Sequence, residues 1–132
     1  MISRRFVLAF CAIAAVAAFA AIVPAFADVT PFTTQAFQDA QKADKPILVE
    51  IHASWCPTCK AQKAILSDMF SKPKFKDMVV LRVDFDSQKD IVNEFGARIQ
   101  ATLIVYKGSK EVGRSVGDTD PDSIAALLEK AL

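Results

Sequence analysis

Ile47-Leu48-Val49-Glu50-Ile51-His52-Ala53-Ser54-Trp55-Cys56-Pro57-Thr58-Cys59-Lys60 is the stretch that decides the fold. Its first half is a strand signal, and its second half opens an apolar-periodic run that reaches Phe70. A strand therefore delivers two cysteines to the mouth of a helix. Cysteines at i and i+3 on a first helical turn lie about 5–6 Å apart at the Cβ level, close to disulfide geometry. Such a pair can open and close without refolding. Unpaired backbone N–H groups and the positive end of the helix dipole favour a thiolate at that position, which makes Cys56 the expected nucleophile. Cys59, one turn further in, is expected to stay protonated until it breaks a mixed disulfide formed on Cys56. A structural staple across so short a loop would remove little entropy from the unfolded chain. Zinc would need two further ligands, and after residue 27 the chain has one histidine, His52, and no other cysteine. Redox chemistry is the better reading of the pair.

Residues 1–27 read as a targeting segment. Arg4 and Arg5 precede an uncharged run from Phe6 to Val23, Pro24 breaks it, and Ala25-Phe26-Ala27 is a small-x-small cleavage site before Asp28. The expected division is a signal peptide, 1–27, and one domain, 28–132. The apolar run of 18 residues is also just long enough for an uncleaved anchor. Ser3-Arg4-Arg5-Phe6-Val7-Leu8 resembles a twin-arginine export signal, with ordinary secretion an equal reading. Either route exports the domain, and a periplasmic location is expected. Phe10 before Cys11 is too bulky for a lipoprotein signal.

The 132-residue chain carries 16 basic and 15 acidic residues, a formal charge of +1; without Arg4 and Arg5 it becomes −1. Net charge selects no partner, and nucleic-acid binding has no support. Lys72, Lys74 and Lys76 around Pro73 and Phe75 read as a solvated loop. A domain of this size can build a core without disulfide stapling, so its two cysteines are free for chemistry.

After Pro31 the signals alternate. Thr33 or Thr34 caps a helix ending near Ala43, and Ile47–Ala53 is a strand. Pro57 suits a first helical turn, with Ala61, Ala64, Ile65, Met69 and Phe70 apolar and Lys60, Lys63, Ser67 and Asp68 on the wet face. Val79–Val83 is a strand; Ser87 with Asp90 opens a short helix stopped by Gly96. Ala101–Tyr106 and Glu111–Val116 form a hairpin about Lys107-Gly108-Ser109-Lys110, and Asp120-Pro121 caps a last helix to Leu132. Consecutive βαβ crossovers followed by a hairpin imply an α/β fold with a mixed central sheet and helices on both faces. Asp84-Phe85-Asp86 suggests calcium, but Lys89 stands where an EF-hand loop needs glycine. The phenylalanines read as core and signal-segment residues.

Over Val29 to Leu132 the chain resembles the thioredoxin superfamily, and most closely its periplasmic thioredoxin-like thiol:disulfide interchange proteins. The resemblance rests on Ile47-Leu48-Val49-Glu50, Ala53 to Lys60, Val83-Asp84-Phe85-Asp86, Phe95-Gly96-Ala97-Arg98, Thr102-Leu103 and Val116-Gly117. It implies a thioredoxin fold and a protein-disulfide oxidoreductase without a cofactor. Its implied partners are protein thiols and disulfides and a membrane or periplasmic redox partner, and the implied state is monomeric. Cys56 and Cys59 match the family's redox pair. Glu50 matches the buried carboxylate that helps move the proton of the inner cysteine, and burial would raise its pKa as a base requires; an exposed position on an edge strand is the competing reading. Trp55, Pro57, Thr58, Gln100, Ala101 and Gly117 match the groove that takes a substrate backbone.

Two departures stand out. The family places a cis-proline immediately before Thr102, where this chain has Ala101, and a non-proline cis bond costs about 2.5–4 kcal/mol. The sequence leaves both isomers open, with a trans bond changing the loop that faces Cys56. Alanine also lacks the ring that helps keep metals off the thiolates. The second departure is His52 in place of the usual aromatic residue. A packed histidine is one reading; a third ligand with Cys56 and Cys59 for a soft metal such as Cu(I) is the alternative function. Cys-Pro-Thr-Cys is neither the dipeptide setting of the reducing thioredoxins nor that of the strong oxidases, so the direction of electron flow stays open.

Overall fold

The computed structural model describes residues 27–132. Nearly all of the segment read as a signal peptide, with Cys11 and the twin arginines, lies outside the described residues. Five strands form one sheet: β1 (Val29–Pro31), β2 (Pro46–His52), β3 (Val79–Asp84), β4 (Thr102–Lys107) and β5 (Lys110–Val116). Their order is β1-β3-β2-β4-β5. β3 runs parallel to both β1 and β2, and β4 runs antiparallel to both β2 and β5. The mixed sheet expected from the alternation of signals is therefore present.

β2 is central and buried on both faces from Ile47 to Ile51, which explains why its sequence is a continuous apolar run interrupted by Glu50. Alternate residues feed two cores. Leu48, Val80, Leu103 and Val105 pack against α2 (Pro57–Phe70) and α4 (Pro121–Glu129). Ile47, Val49, Ile51, Leu81, Val83 and Ile104 pack on the other face, under α1 (Thr34–Lys42) and α3 (Lys89–Glu94). There Phe32, Phe37, Phe95 and Tyr106 meet through tilted and edge-to-face ring contacts 5.2–6.2 Å apart. No described helix is long and apolar enough to cross a membrane.

Caps follow the sequence at α1, where Thr33 Oγ1 accepts from Ala36 N–H at 3.0 Å, and at α4, where Asp120 accepts from Ser123 N–H at 2.8 Å. α3 differs. Ser87 does not cap it: Asp84 Oδ1 accepts from the backbone of Asp86 and from both the backbone and hydroxyl of Ser87, closing a turn. The helix starts two residues later behind Gln88, without a side-chain cap. In α2 the buried positions are Cys59, Gln62, Leu66, Met69 and Phe70, whereas Ala61 and Ala64 are exposed. Alanine is small enough to sit on either face, so it blurred the phase read from the sequence. Lys72, Lys74 and Lys76 are exposed as expected, but the loop between them contains a 3-10 turn (Pro73–Phe75) that buries Phe75 completely.

Candidate redox site

β2 ends at His52, and Ala53-Ser54-Trp55 turns the chain into α2. Cys56 is the N-cap of that helix, with Pro57 as its first helical residue. The Cys56 sulfur takes the place of the usual capping oxygen: it accepts the backbone N–H of Cys59 at 3.1 Å. That bond sets the Cys56 sulfur at the positive end of the helix dipole. Cys59 lies one turn inward. The two residues are 3% and 2% exposed, both are free thiols, and they pack with Ala53 and Ala101 against the edge of Phe85. Burial, then the hydrogen bond with Cys56, push the Cys59 thiol up to about 11, while backbone groups of Ala53 and Ala101 pull it the other way.

The rim is apolar and exposed. Trp55 is 58% exposed and its indole N–H donates to Asp86 Oδ2 at 2.8 Å, which fixes the ring beside Cys56. Ile99 and Val116, 47% and 60% exposed, flank the start of β4, Val116 standing opposite Thr102. Ile99 was not singled out by sequence, and Val116 entered only through the Val116-Gly117 match to the family. Their apolar character resembles ordinary strand and loop composition until the fold exposes it. Pro57 is exposed, Thr58 and Gln100 are half-buried, and Gly117 adopts φ +67°.

No described peptide bond is cis, so the bond before Ala101 is trans. Ala101 instead takes φ +61°, in the left-handed region. Its N–H donates to Ile51 O at 2.8 Å, prolonging the β2–β4 pairing, and its carbonyl accepts from Gly117 N–H at 2.9 Å. The residue is 3% exposed and fills the space beside the sulfurs.

Glu50 is 1% exposed, which excludes the exposed edge-strand reading. Its carboxylate accepts from Arg82 Nε at 3.0 Å and from Arg82 Nη2 at 3.2 Å, a bidentate pair with the neighbouring strand. A cavity of about 380 Å³ beneath α2 opens over this pair, lined by Glu50, Arg82, Lys63, Leu66 and Phe70 among others. Arg82, rather than Cys59, is the hydrogen-bonding partner of the carboxylate.

His52 shares the Glu50 face of β2. Burial first, and the Arg82 charge second, lower its pKa, with Glu50, Lys63 and Asp84 as its other charged neighbours. Strand alternation sends residues 50 and 52 to the same side, so His52 stands with this charged group. Among the described residues no three His, Cys, Asp or Glu side chains are grouped to hold a metal, so the Cu(I) alternative finds no support.

One residue the sequence reading passed over is Gln62, 1% exposed on the core face of α2. Its amide donates to Ala101 O at 3.2 Å and to Asp118 O at 2.8 Å. The available signal was a polar residue at i+3 from Cys59, on the face opposite the correctly read Lys60, Lys63, Ser67 and Asp68, and it was hidden by counting Ala61 and Ala64 among the inward positions.

Comparison with known proteins agrees with this geometry. The thioredoxin family model matches residues 28–130. Thioredoxin of Chlamydia muridarum is 34% identical over 84 residues, spanning 64% of this chain and 80% of that one. Thioredoxin of Alicyclobacillus acidocaldarius is 29% identical over 96 residues, spanning 73% and 90%. Among solved structures, Trxlp from Edwardsiella tarda EIB202 is 40% identical with a TM-score of 0.74, covering 76% of this chain and 98% of its own. With two cysteines at the mouth of α2, a mixed five-stranded sheet behind them and a family match across almost the whole described domain, this chain belongs to the thioredoxin family and is a thiol:disulfide oxidoreductase.

Proposed function

We propose that the domain is exported to the periplasm and exchanges disulfides with protein substrates there through the Cys56-Pro57-Thr58-Cys59 pair. The observation that supports this assignment of roles is the asymmetry of the sulfurs: Cys56 accepts an N–H bond at a helix N-terminus, whereas Cys59 is buried with its thiol near 11. In the reducing direction the Cys56 thiolate attacks a substrate disulfide, forming a mixed disulfide and releasing one substrate thiolate, which takes up a proton. Cys59 then loses its proton and attacks Cys56 Sγ, closing the Cys56–Cys59 bridge and releasing the second substrate thiolate. Two electrons pass to the substrate, and the reverse sequence oxidises a dithiol. Burial keeps the Cys59 thiol neutral at pH 7, so the second step needs its proton removed as attack occurs. The exposed Trp55, Ile99 and Val116 offer an apolar seat for the substrate chain around the sulfurs. A membrane or periplasmic redox partner would reset the pair.

The test is trapping: Cys59→Ser should accumulate protein partners on Cys56 as mixed disulfides, and Cys56→Ser almost none. Equal trapping by the two variants overturns the assignment. Export is checked by the intact mass of the protein recovered from the periplasm, which should begin at Asp28; a full-length chain in the membrane fraction favours the anchor.

A further inference from the structure

Gln62 has more hydrogen-bonding work than a core position requires. A buried amide that loses its partners keeps its desolvation penalty without return, and an aliphatic side chain of similar size would fill the same space without that demand. Both bonds its Nε2 donates cross to other parts of the chain. One goes to Ala101 O at 3.2 Å, and the other to Asp118 O at 2.8 Å. Asp118 in turn organises the entry to α4, accepting from Asp120 N–H at 2.9 Å and from the Ser123 hydroxyl. One side chain on the redox helix thus binds the loop that packs on the sulfurs and the loop that leads into α4.

Ala101 needs such a hold. A non-glycine residue in the left-handed region carries a steric cost relative to its relaxed conformation. Three bonds oppose that cost: Ala101 N–H to Ile51 O, and Gly117 N–H and Gln62 Nε2 to Ala101 O. Two of them are backbone pairs that any residue type at those positions could make. The third depends on the identity of residue 62, which lies one helical turn after Cys59.

We propose that Gln62 is a positioning residue of the redox site, holding the Ala101 carbonyl so that residue 101 keeps its left-handed conformation against Cys56 and Cys59 and presents the groove in the shape a protein disulfide needs. Without the amide, Ala101 is free to relax, and the wall facing Cys56 moves while the cysteines stay on their helix. A small disulfide that reaches Cys56 directly is indifferent to that wall; a polypeptide that lies along it is not.

The inference rests on the oxidoreductase reading, and the two are separable by experiment. Pre-reduced parent and variant are mixed with insulin, as the protein disulfide, and with an aromatic small-molecule disulfide, and second-order rate constants are compared. Gln62→Leu and Gln62→Met, which keep volume and remove the donors, should slow insulin reduction at least tenfold while the small disulfide reacts within twofold of the parent. Rates that fall together, or that both stay unchanged, overturn the proposal. Failure of both variants to fold also overturns it, in favour of a purely structural role. In the parent, the Gln62 side-chain amide hydrogens should exchange slowly with solvent; exchange at the rate of a free amide overturns it independently of any variant. A parent that reduces neither disulfide would instead sink the oxidoreductase reading itself.

Discussion

Ala101 stands at φ +61° within contact of both sulfurs, and its strain and position belong to different accounts. Position is set by the hydrogen bonds around it; strain is local and removable. Glycine adopts the left-handed region without steric penalty, at some entropic cost in the unfolded chain. Ala101→Gly is therefore expected to raise stability by about 0.5–1 kcal/mol, seen as a higher urea midpoint with an unchanged slope. A lower midpoint would mean that the alanine methyl contributes more by packing on the cysteines than the backbone loses by strain. Cys59 gives a second prediction at this scale. Its thiol is raised to about 11 in the fold, so the folded protein prefers the neutral form. That contribution is complete below the value of an unfolded thiol, about 8.5, and is lost as pH climbs toward 11. The reduced protein should thus lose melting temperature between pH 8.5 and 11 faster than Cys59→Ser does. Parallel curves in scanning calorimetry would show that the burial of Cys59 carries no such linkage.

At the scale of elements, β2 and α2 were the most legible parts of the chain, and each concealed one residue. The apolar run of β2 and Pro57 after Cys56 announced a strand feeding a helix, and both form as read. What a strand sequence does not show is the partner across it, so Glu50 could be recognised as potentially buried but not as paired with Arg82, 32 residues later. Likewise the wet face of α2, Lys60, Lys63, Ser67 and Asp68, was plain, but Ala61 and Ala64 fit either face and were counted inward, and Gln62 was overlooked between them. The cap of α3 failed for a related reason: Asp84, on the preceding strand, competes for the Ser87 groups that a local reading assigned to the helix. The Glu50–Arg82 pair carries the prediction here. Breaking it from one side leaves a carboxylate buried without its counter-charge, and Arg82→Met should cost about 2–3 kcal/mol, less than for a fully buried pair because Arg82 is partly exposed. Glu50→Met with Arg82→Met should return much of that loss. A single variant as stable as the parent in chemical denaturation would mean that water in the adjoining cavity already solvates the carboxylate.

The whole molecule is one sheet with two unequal duties. Its α2/α4 face carries the redox helix, the charged cavity and Gln62; its α1/α3 face carries an aromatic core that meets the cysteine cluster through Phe85. The faces are nevertheless mechanically joined, since β2, β3 and β4 contribute alternate residues to both. A defect on the quiet face should then weaken the site only by weakening the entire fold. Ile104 is the residue to test: it is fully buried on the α1/α3 face of β4, opposite Val49, and belongs to the core cluster of that face rather than to the one that holds the cysteines. Ile104→Ala should cost about 2–5 kcal/mol through lost burial and the cavity left behind. Because a domain of this size ordinarily unfolds in one cooperative step, Trp55 fluorescence, which reports the rim of the site, and far-UV circular dichroism should give the same lowered midpoint. Below the transition, trapping by Cys59→Ser should be unaffected by the added Ile104→Ala. If the fluorescence transition precedes the dichroism transition, the site opens as a unit of its own, and the sheet does not transmit stability between its faces as the shared strands require.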